Sequence, residues 1–338
     1  MSTVRQTAPA PAGYRFAVAP MIDWTDRYCR FFHRQLSQHA LLYTEMVTAE
    51  AVLRGDQEHL LGFDHAGPVA LQLGGSDPVK LAKAATIGAA FGYAEINLNV
   101  GCPSDRVQSG RFGACLMREP ELVAACLVAM REAVDVPVTA KCRIGIDDQD
   151  PERALPVFLQ SVEGAGVHSV TIHARKAWLQ GLSPKENRTI PSLDYNLVFR
   201  MKSAFPGLMI TLNGGLPSPI AAHAFLDRVD GVMLGRAAYE KPATLTQVDR
   251  LYFDEANHPV TPQDAIVAVV HKAQDSDVPI WRYARHMLGL FAGQKGARAW
   301  RRRVSEEARL PGARADLLLR LMKEEGLDEA FSSAQAAE

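Results

Sequence analysis

A cysteine stands where an alternating apolar segment ends, between a glycine and a proline. Residues 95–104 read EINLNVGCPS, a pattern typical of a strand that runs into a loop and delivers Cys102 to its carboxyl end. Pro103 disfavours the helical conformation for Cys102, and Gly101 lets the backbone approach a bound group closely. A buried structural cysteine is the alternative, but a thiol held in a strand-end loop favours a chemical role.

Other strand-like segments also end in polar residues or glycines. The carboxyl ends of parallel strands lie at one face of an α/β fold, where such folds assemble their sites. The residues concerned are Ala19, Pro20, Met21, Ile22, Asp23, Gln72, Gly74, Gly75, Lys141, Arg143, His173, Arg175, Asn213, Gly214, Gly215, Gly235 and Arg236. We expect them to meet Cys102 at that face.

The residues after the seventh and eighth strand-like segments indicate a phosphate site. In (β/α)₈ barrels the loops after the last two strands commonly form a cup of backbone N–H groups around a phosphate. Gly214, Gly215 and Gly235 permit close approach, and Arg236 can add charge-assisted hydrogen bonds.

Three further side chains favour a planar, phosphate-bearing cofactor. Lys141 and His173 lie in alternating runs, and a charge that points into a barrel needs a partner. A solvated lysine, a core histidine and a helix-capping Gln72 are the alternatives. Flavin mononucleotide (FMN) fits, because Lys and Gln can bond ring carbonyls and nitrogens and His can reach the ring or the phosphate. No G-x-G-x-x-G motif lies in a strand–helix setting, which disfavours a tightly held dinucleotide.

A flavin close to a thiol suggests a reduction. Hydride would go to one carbon of a polarised double bond, and a general acid would protonate its neighbour. A thiol that is mostly protonated at neutral pH can be that acid. Composition alone leaves open whether Cys102 is an acid or a nucleophile.

The spacing of the strand-like segments predicts a (β/α)₈ TIM barrel. Their starts lie about 20 to 45 residues apart, which is the length of a strand–helix unit. The segments are residues 15–20, 41–45, 69–73, 94–99, 138–143, 169–174, 209–213 and 231–234, and helices are expected at 78–90, 121–133 and 151–164. A doubly wound sheet is less favoured, because it would concentrate its site at one switch point.

After Arg236 the alternation of strand-like and helix-like segments ends, and an all-helical appendix is expected. A helix over 243–256 leads into a linker at 257–262, and the pattern is helical to about Leu327. We therefore predict a flexible lead at 1–13, a barrel at 14–256, a helical domain at 257–330 and a frayed tail at 331–338. Residues 278–305 contain no acid and seven basic residues, which are Arg282, Arg285, Lys295, Arg298, Arg301, Arg302 and Arg303.

Composition and charge limit the function class. With 37 Lys and Arg against 38 Asp and Glu the net charge is −1, so global charge indicates no polyanionic partner, although it can hide a local basic patch. The five cysteines form no C-x-x-C, which disfavours a disulfide framework, a zinc ribbon or an iron–sulfur site and favours reduced thiols in a cytoplasm. No membrane span, secretory signal or metal site is expected.

At the level of motifs the chain resembles the tRNA-dihydrouridine synthases over nearly its whole length. The matching segments are 19–26, 72–75, 97–103, 141–145, 173–175, 213–215 and 235–236, of which Asn-x-Asn-x-Gly-Cys-Pro is highly specific. Residues 181–188 (GLSPKENR) and 300–303 (WRRR) resemble the bacterial A-type subfamily, which modifies uridines 20 and 20a in the D-loop. We find no departure in the core motifs, apart from a mild variation at Ile22.

The resemblance implies a fold, a reaction and a set of site residues. The fold would be an FMN-containing barrel with a C-terminal helical domain, and uridine would be reduced to 5,6-dihydrouridine with NADPH as electron donor. Cys102 would protonate C5 while reduced FMN sends hydride to C6, with Asn99 and Arg143 near the uracil. FMN would contact Ala19, Pro20, Met21, Gln72, Lys141, His173, Asn213, Gly214, Gly215, Gly235 and Arg236. tRNA phosphates would contact Lys185, Arg188, Arg301, Arg302 and Arg303.

Two rival functions remain. A flavin-dependent reductase or dehydrogenase of a free pyrimidine, or of another small molecule, would act without the basic appendix. A non-catalytic RNA-binding protein would hold no flavin and would not need Cys102. For the synthase, tRNA is the expected partner, no obligate protein partner is implied, and turning a uridine out of folded tRNA costs a few kcal/mol that phosphate contacts can offset.

Overall fold

The structure is a computed structural model, and it describes residues 15–63, 66–104, 110–255 and 260–328. Eight parallel strands close into a barrel in chain order, with β1 hydrogen-bonded to both β2 and β8. The strands are β1 Phe16–Val18, β2 Leu41–Thr48, β3 Val69–Gly74, β4 Glu95–Val100, β5 Val138–Arg143, β6 Ser169–His173, β7 Met209–Asn213 and β8 Gly231–Leu234. This architecture confirms the predicted (β/α)₈ TIM barrel.

Helices surround the barrel, and short polar residues fix where they begin. The side chains of Asp26, Asp77, Asp150 and Asp194 accept hydrogen bonds from the first backbone N–H groups of the helices that follow them. The helices up to the last strand are α1 Arg27–Leu36, α2 Ala49–Arg54, α3 Gln57–Leu61, α4 Pro78–Ala90, α5 Pro120–Ala133, α6 Pro151–Gly164, α7 Tyr195–Ala204 and α8 Pro219–His223, with 3₁₀ turns at Gly113–Arg118 and Glu186–Arg188. Four of these begin with proline, whose missing N–H is harmless at that position.

The strands separate an outer apolar layer from a partly polar interior. Ile96, Leu98 and Val100 alternate along β4 and join the main apolar core between barrel and helices. A separate small cluster fills the barrel interior on the side of β1, β2, β3 and β8; its members are Ala17, Ala19, Leu41, Tyr43, Ala70 and Met233. The interior of β3 to β7 is instead polar, and this is the side on which the site lies.

All eight predicted strands are present, and the differences lie at their ends. β1 is shorter than predicted, since Pro20 has no N–H with which to continue a ladder. β2 runs on to Thr48, because a register shift between Tyr43 and Met46 lets it follow β3 up to Gly74. Predicted helices 78–90 and 151–164 agree with α4 and α6, and α5 begins one residue before the predicted 121.

Within the described residues beyond Leu234 the chain contains helices and turns but no strand. They are α9 Arg236–Glu240, a 3₁₀ turn Pro242–Gln247, α10 Val248–Phe253, α11 Pro262–Gln274, α12 Trp281–Ala284, α13 Ala297–Glu307 and α14 Leu317–Glu324. The helix predicted over 243–256 is thus a 3₁₀ turn and a short helix that ends at left-handed Asp254. The stretch between α12 and α13 is made of turns, because Gly293 and Gly296 adopt positive φ there.

The predicted domain boundary falls at 256–257, outside the described residues, and stays a prediction. The predicted lead at 1–13 and the tail at 331–338 also lie outside them. α11 packs against α1, and its apolar residues are continuous with the core around the barrel.

Candidate active site

Asn99 shapes the loop that carries Cys102. Its Oδ1 accepts hydrogen bonds from the backbone N–H groups of Gly101 and Cys102, both at 3.0 Å. The Cys102 carbonyl accepts from the N–H of Ala114 at 2.9 Å, and the Sγ donates to Oγ of Ser104 at 3.5 Å. The thiol is partly exposed. The backbone is thus fixed on both sides of an accessible sulfur atom at the carboxyl end of β4.

A ladder of buried amides supports Asn99 from inside the barrel. Asn99 Nδ2 donates to Oε1 of Gln72 at 2.7 Å, and Gln72 Nε2 donates to Oδ1 of Asn97 at 2.8 Å. Asn97 in turn donates to Thr139, whose hydroxyl donates to a carboxylate oxygen of Glu95 at 2.6 Å. All five side chains are buried. A buried, connected network of this kind sets the orientation of its members.

Lys141 lies beside Asn99 in register and points into the barrel mouth. Its Nζ donates to Oδ1 of Asn213 at 3.1 Å, and Asn213 donates to the carbonyl of Met233. Desolvation, followed by the neighbouring Arg143 charge, lowers the pKa of Lys141 to about 8. An ammonium with one neutral partner in such a place is ready to bind a polar or anionic group.

His173 offers a ring nitrogen that lacks a protein partner. It is paired in register with Arg143 and Asn213, it is buried, and its Nδ1 makes no hydrogen bond. Burial first, and then the surrounding cations, hold the pKa of His173 well below its usual value. The imidazole is therefore neutral at neutral pH and can donate or accept one hydrogen bond to a bound ligand.

Arg143 is buried next to the Cys102 loop, and its partners are backbone carbonyls. Nε donates to Gly101 at 3.2 Å, while Nη1 donates to Lys176 at 3.2 Å and to Asn187 at 2.9 Å. It therefore ties the loop after β4 to the loop after β6. Burial and the nearby arginines lower its pKa to about 10, while the charge of Cys102 acts in the opposite sense.

Five cations surround this mouth without carboxylate partners. Within the described part of the chain no ion pair joins any of them to Asp or Glu. Arg236 lowers the pKa of Arg175 and of Arg188, in each case after desolvation. The five residues are Lys141, Arg143, Arg175, Arg188 and Arg236. Such uncompensated charge favours an anionic ligand.

Three glycines border the same part of the mouth. Gly214 has φ +108°, and a Cβ there would lie 3.2 Å from Nε2 of His173. Gly215 has φ +70°, and a Cβ there would lie 2.5 Å from a methyl group of Leu193. On the neighbouring strand β8, Gly235 faces Ala19 and the sulfur of Met21 at 3.7 Å from an added Cβ. With Pro20 beside them, these residues border the predicted phosphate cup.

The donor set fits FMN. A planar polar ring can use the amides, the Lys141 ammonium and the unpartnered His173 nitrogen, and its phosphate can use the uncompensated arginines and the glycine-lined loops. The structure thus brings together Ala19, Pro20, Met21, Gln72, Lys141, His173, Asn213, Gly214, Gly215, Gly235 and Arg236 at the mouth where Cys102 lies.

Comparison with known proteins decides the family. The family model described as Dihydrouridine synthase (Dus) matches residues 17–325 of this chain. The chain belongs to the dihydrouridine synthase family. The resemblance inferred from the motifs is thereby confirmed.

Curated members of the dihydrouridine synthase family are about half identical to this chain. The tRNA-dihydrouridine(20/20a) synthase of Yersinia pestis is 52% identical over 317 residues, which cover 92% of each chain. That of Escherichia coli K12 is 50% identical over 333 residues, 96% of each chain. That of Pasteurella multocida is 53% identical over 302 residues, 88% of this chain and 92% of the relative.

The loop with the A-type resemblance covers one side of the dihydrouridine synthase mouth. Its Asn187 is fully buried; the side chain accepts from the N–H of Trp178 at 2.7 Å and donates to the carbonyls of Trp178 and Leu182. Lys185 and Arg188 are exposed on this loop. Arg236 donates to the Arg188 carbonyl at 3.2 Å.

The three consecutive arginines of α13 differ: two are exposed, and the third forms ion pairs. Arg301 and Arg302 are exposed. Arg303 instead pairs with Glu307 at 2.7 Å, Glu324 at 2.8 Å and Glu325 at 2.9 Å, and these carboxylates raise its pKa. Arg303 is therefore not a free cation like Arg301 and Arg302.

Arg285 of the basic stretch likewise has an internal partner. It pairs with Asp26 at 2.9 Å and donates to the carbonyl of Asp23 in the loop after β1. Buried His286 also lies 3.0 Å from Asp26, and its Nδ1 lies 3.1 Å from the hydroxyl of Tyr239. Burial by itself would raise the pKa of Asp26, but the hydrogen bond and charge of His286, the Cys29 N–H and the Arg285 charge together lower it. This cluster attaches the C-terminal helices to a mouth loop.

Sequence reasoning gave Asn97, Asn187 and Glu95 no function of their own. The alternation of polar residues at 95, 97 and 99 in a strand was a usable signal, because inward side chains repeat every two residues. For Asn187 the sequence held no such signal, since its role depends on loop folding.

Two further findings concern the described residues. They contain no group of three or more His, Cys, Asp or Glu arranged to hold a metal ion. None of their helices combines the length and the apolar character that crossing a membrane requires.

Proposed function

We propose that this chain reduces uridine in tRNA to 5,6-dihydrouridine, with FMN as its cofactor and NADPH as electron donor. The observation that carries the proposal is the Cys102 thiol, held by Asn99 beside a mouth of uncompensated cations. Membership of the dihydrouridine synthase family and about 50% identity to tRNA-dihydrouridine(20/20a) synthases support it.

The residues that would hold FMN fall into two groups. Gln72, Lys141 and His173 would bind the ring, because each presents a polar atom on the barrel interior. Asn213, Gly214, Gly215, Gly235 and Arg236 would surround the phosphate, and Ala19, Pro20 and Met21 would line the adjoining wall at the end of β1. When bound, the reduced flavin supplies hydride for C6 of the uracil.

Cys102 would provide the second hydrogen. Its Sγ–H donates a proton to C5 of the uracil, so that the double bond is saturated and a thiolate remains. Lys141 and Arg143 have pKa values that respond to the charge of Cys102, so their positive charges stabilise that thiolate until solvent returns a proton. Asn99 orients the thiol, and Arg143 near the uracil holds the loop that carries it.

Exposed cations on the loop after β6 and on α13 would bind the RNA. Lys185 and Arg188 lie on the loop after β6, and Arg301 and Arg302 lie on α13; all four are exposed. Phosphate contacts of this kind fix orientation and offset the cost of turning the uridine out of its stack. Arg303 is paired with three carboxylates, so we expect it to contribute less to phosphate binding than Arg301 and Arg302 do.

The target is proposed to be uridines 20 and 20a of the D-loop; the names of the curated relatives carry the numbers 20 and 20a for those proteins. A cytoplasmic location follows as an expectation from a tRNA substrate.

An assay of substrate choice tests the proposal against its rivals. The purified protein, reconstituted with FMN, is incubated with NADPH and either unmodified tRNA or free uridine and uracil. A gain of two hydrogen atoms in D-loop nucleotides, with free pyrimidines unchanged, supports the synthase. Turnover of free pyrimidine alone would favour the small-molecule reductase, and no bound flavin with intact RNA binding would favour the non-catalytic protein.

A further inference from the structure

We propose that Trp178 is a stacking platform for a nucleobase that flanks the uridine at the barrel mouth. The inference rests on the proposed tRNA substrate and adds to it a residue that touches a second base. Its starting point is an exposed aromatic ring: 43% of Trp178 is exposed, and the residue lies five positions beyond the end of β6.

The chain has four tryptophans, and the other three have internal contacts. Trp300 is fully buried, and its indole N–H donates to the carbonyl of Met287 at 3.0 Å. Trp24 stacks on Tyr239, with ring centroids 4.3 Å apart and planes 11° apart. The Trp281 ring is only partly exposed and lies under the Arg309 guanidinium at 4.2 Å.

The backbone of Trp178 is held on both sides by one buried side chain. Asn187 accepts from its N–H at 2.7 Å and donates to its carbonyl at 2.8 Å. The next residue, Leu179, donates its N–H to Asp147 at 2.7 Å. A side chain on a backbone fixed in this way has only its two side-chain torsions to order on binding, which suits an anchor for a ligand.

Hydrogen bonds of Arg143 connect the loop that carries Trp178 to the loop that carries Cys102. Arg143 donates from one nitrogen to the carbonyls of Lys176 and Asn187, and from Nε to the carbonyl of Gly101 beside Cys102. One guanidinium therefore links the Trp178 loop and the Cys102 loop. A nucleotide next to the target uridine would lie within the reach of this loop.

The charge near Trp178 suits a polyanion. Lys176 Nζ lies 5.4 Å from the centroid of its ring, and exposed Lys185 and Arg188 stand on the loop that Asn187 anchors. The acid on that loop, Glu186, accepts hydrogen bonds from Ser183. An aromatic face among cations is the arrangement with which proteins bind unstacked bases, whereas a protein partner would not need the cations.

Two variants and a control test the inference in the full-length holoprotein. Trp178→Ala should retain FMN and NADPH-dependent flavin reduction without tRNA, but should raise the KM for tRNA about ten- to a hundredfold, the range that base–aromatic stacking supplies. Trp178→Phe should stay within about threefold of the wild type, since a ring remains. Val157→Ala, an exposed apolar residue on the outer helix α6, should change nothing.

A spectroscopic measurement distinguishes stacking from a structural effect. Adding unmodified tRNA should quench indole fluorescence in the wild type, and Trp178→Phe should bind tRNA yet lose most of that quenching. A wild-type KM in Trp178→Ala, or full quenching in Trp178→Phe, would overturn the inference. If the wild type itself forms no dihydrouridine, the proposed function fails instead, and the two failures are thus separable.

Discussion

Arg143 Nε lies 3.2 Å from the carbonyl oxygen of Gly101 and donates a hydrogen bond to it, one residue before the Cys102 thiol. The guanidinium is buried, so this bond, together with its two other backbone contacts, acts in a site of low dielectric constant. The position of the thiol therefore depends on a side chain of the neighbouring strand.

Replacement of Arg143 should impair turnover more than cofactor binding. Arg143→Gln leaves three carbonyls without their charged donor, and hydrogen bonds to charged groups contribute about 1.5–3 kcal/mol each. We expect tRNA reduction to fall at least tenfold, with an unfolding free energy lower by about 2–4 kcal/mol and FMN still bound. Single-turnover assays measure the rate of tRNA reduction, and urea titration measures the free energy of unfolding. Arg153→Gln, at an exposed side chain, is the control; equal effects of the two variants would contradict the assigned role.

Gly214 should be required for the cofactor. Gly214→Ala would place a Cβ 3.2 Å from the His173 ring at φ +108°, and positive φ costs a non-glycine residue about 1–2 kcal/mol. FMN affinity, measured by quenching of flavin fluorescence, should fall about tenfold or more. The control is Gly164→Ala, because a Cβ there meets nothing within 4 Å. An unchanged FMN affinity in Gly214→Ala would remove the glycine from the cup.

The affinity for FMN should depend on the protonation of Lys141. Desolvation lowers the pKa of this lysine to about 8 in the flavin-free protein, so the charged form binds the cofactor below that pH. We expect the FMN Kd to be constant from pH 6.5 to 7.5 and to rise about tenfold per unit above pH 8. Lys141→Met should bind more weakly and without this dependence. A Kd that stays flat to pH 9.5 in the wild type would contradict the interpretation.

A buried histidine away from the site should make the fold acid-sensitive. Desolvation first, then the charges of His286 and Arg34, lower the pKa of His33 to about 3. The unfolded state, with the usual value of 6.5, therefore binds more protons between these values. Stability is complete above pH 6.5 and is lost as the pH falls towards 3, by up to about 1.4 kcal/mol per unit.

Denaturant titrations of two variants isolate the effect of His33. His33→Gln should have a shallower loss of unfolding free energy between pH 6.5 and 4 than the wild type, because its side chain does not titrate. His59→Gln, at an exposed position of α3, should follow the wild type. Parallel curves for His33→Gln and the wild type would refute the assignment.

The strand pattern and the Cys102 loop could be predicted because both are local in sequence. Alternating residues fix the two faces of a strand, and glycine and proline fix the loop that follows. The predicted cofactor residues meet because all strands of a closed parallel barrel have their carboxyl ends at one face.

The partners of individual charges could not be predicted, since they are distant in sequence. Arg285 pairs with Asp26, 259 residues earlier, and Arg303 pairs with Glu325, 22 residues later. The basic residues of the stretch 278–305 therefore suggested more unpaired cations than the folded chain contains, since Arg285 and Arg303 have carboxylate partners. For the same reason the tie between Asn187 and Arg143, 44 residues apart, appears only in the folded chain.

Reoxidation of the reduced holoprotein by tRNA tests the central claim most directly. Protein reduced anaerobically with NADPH is mixed with unmodified tRNA, and flavin absorbance is followed beside dihydrouridine content. We predict that the wild type is reoxidised with one dihydrouridine formed per flavin, and that Cys102→Ala binds FMN and tRNA but reacts at least a hundredfold more slowly, within the range that a positioned acid contributes. Wild-type rates in Cys102→Ala, or reoxidation without dihydrouridine in the wild type, would contradict it.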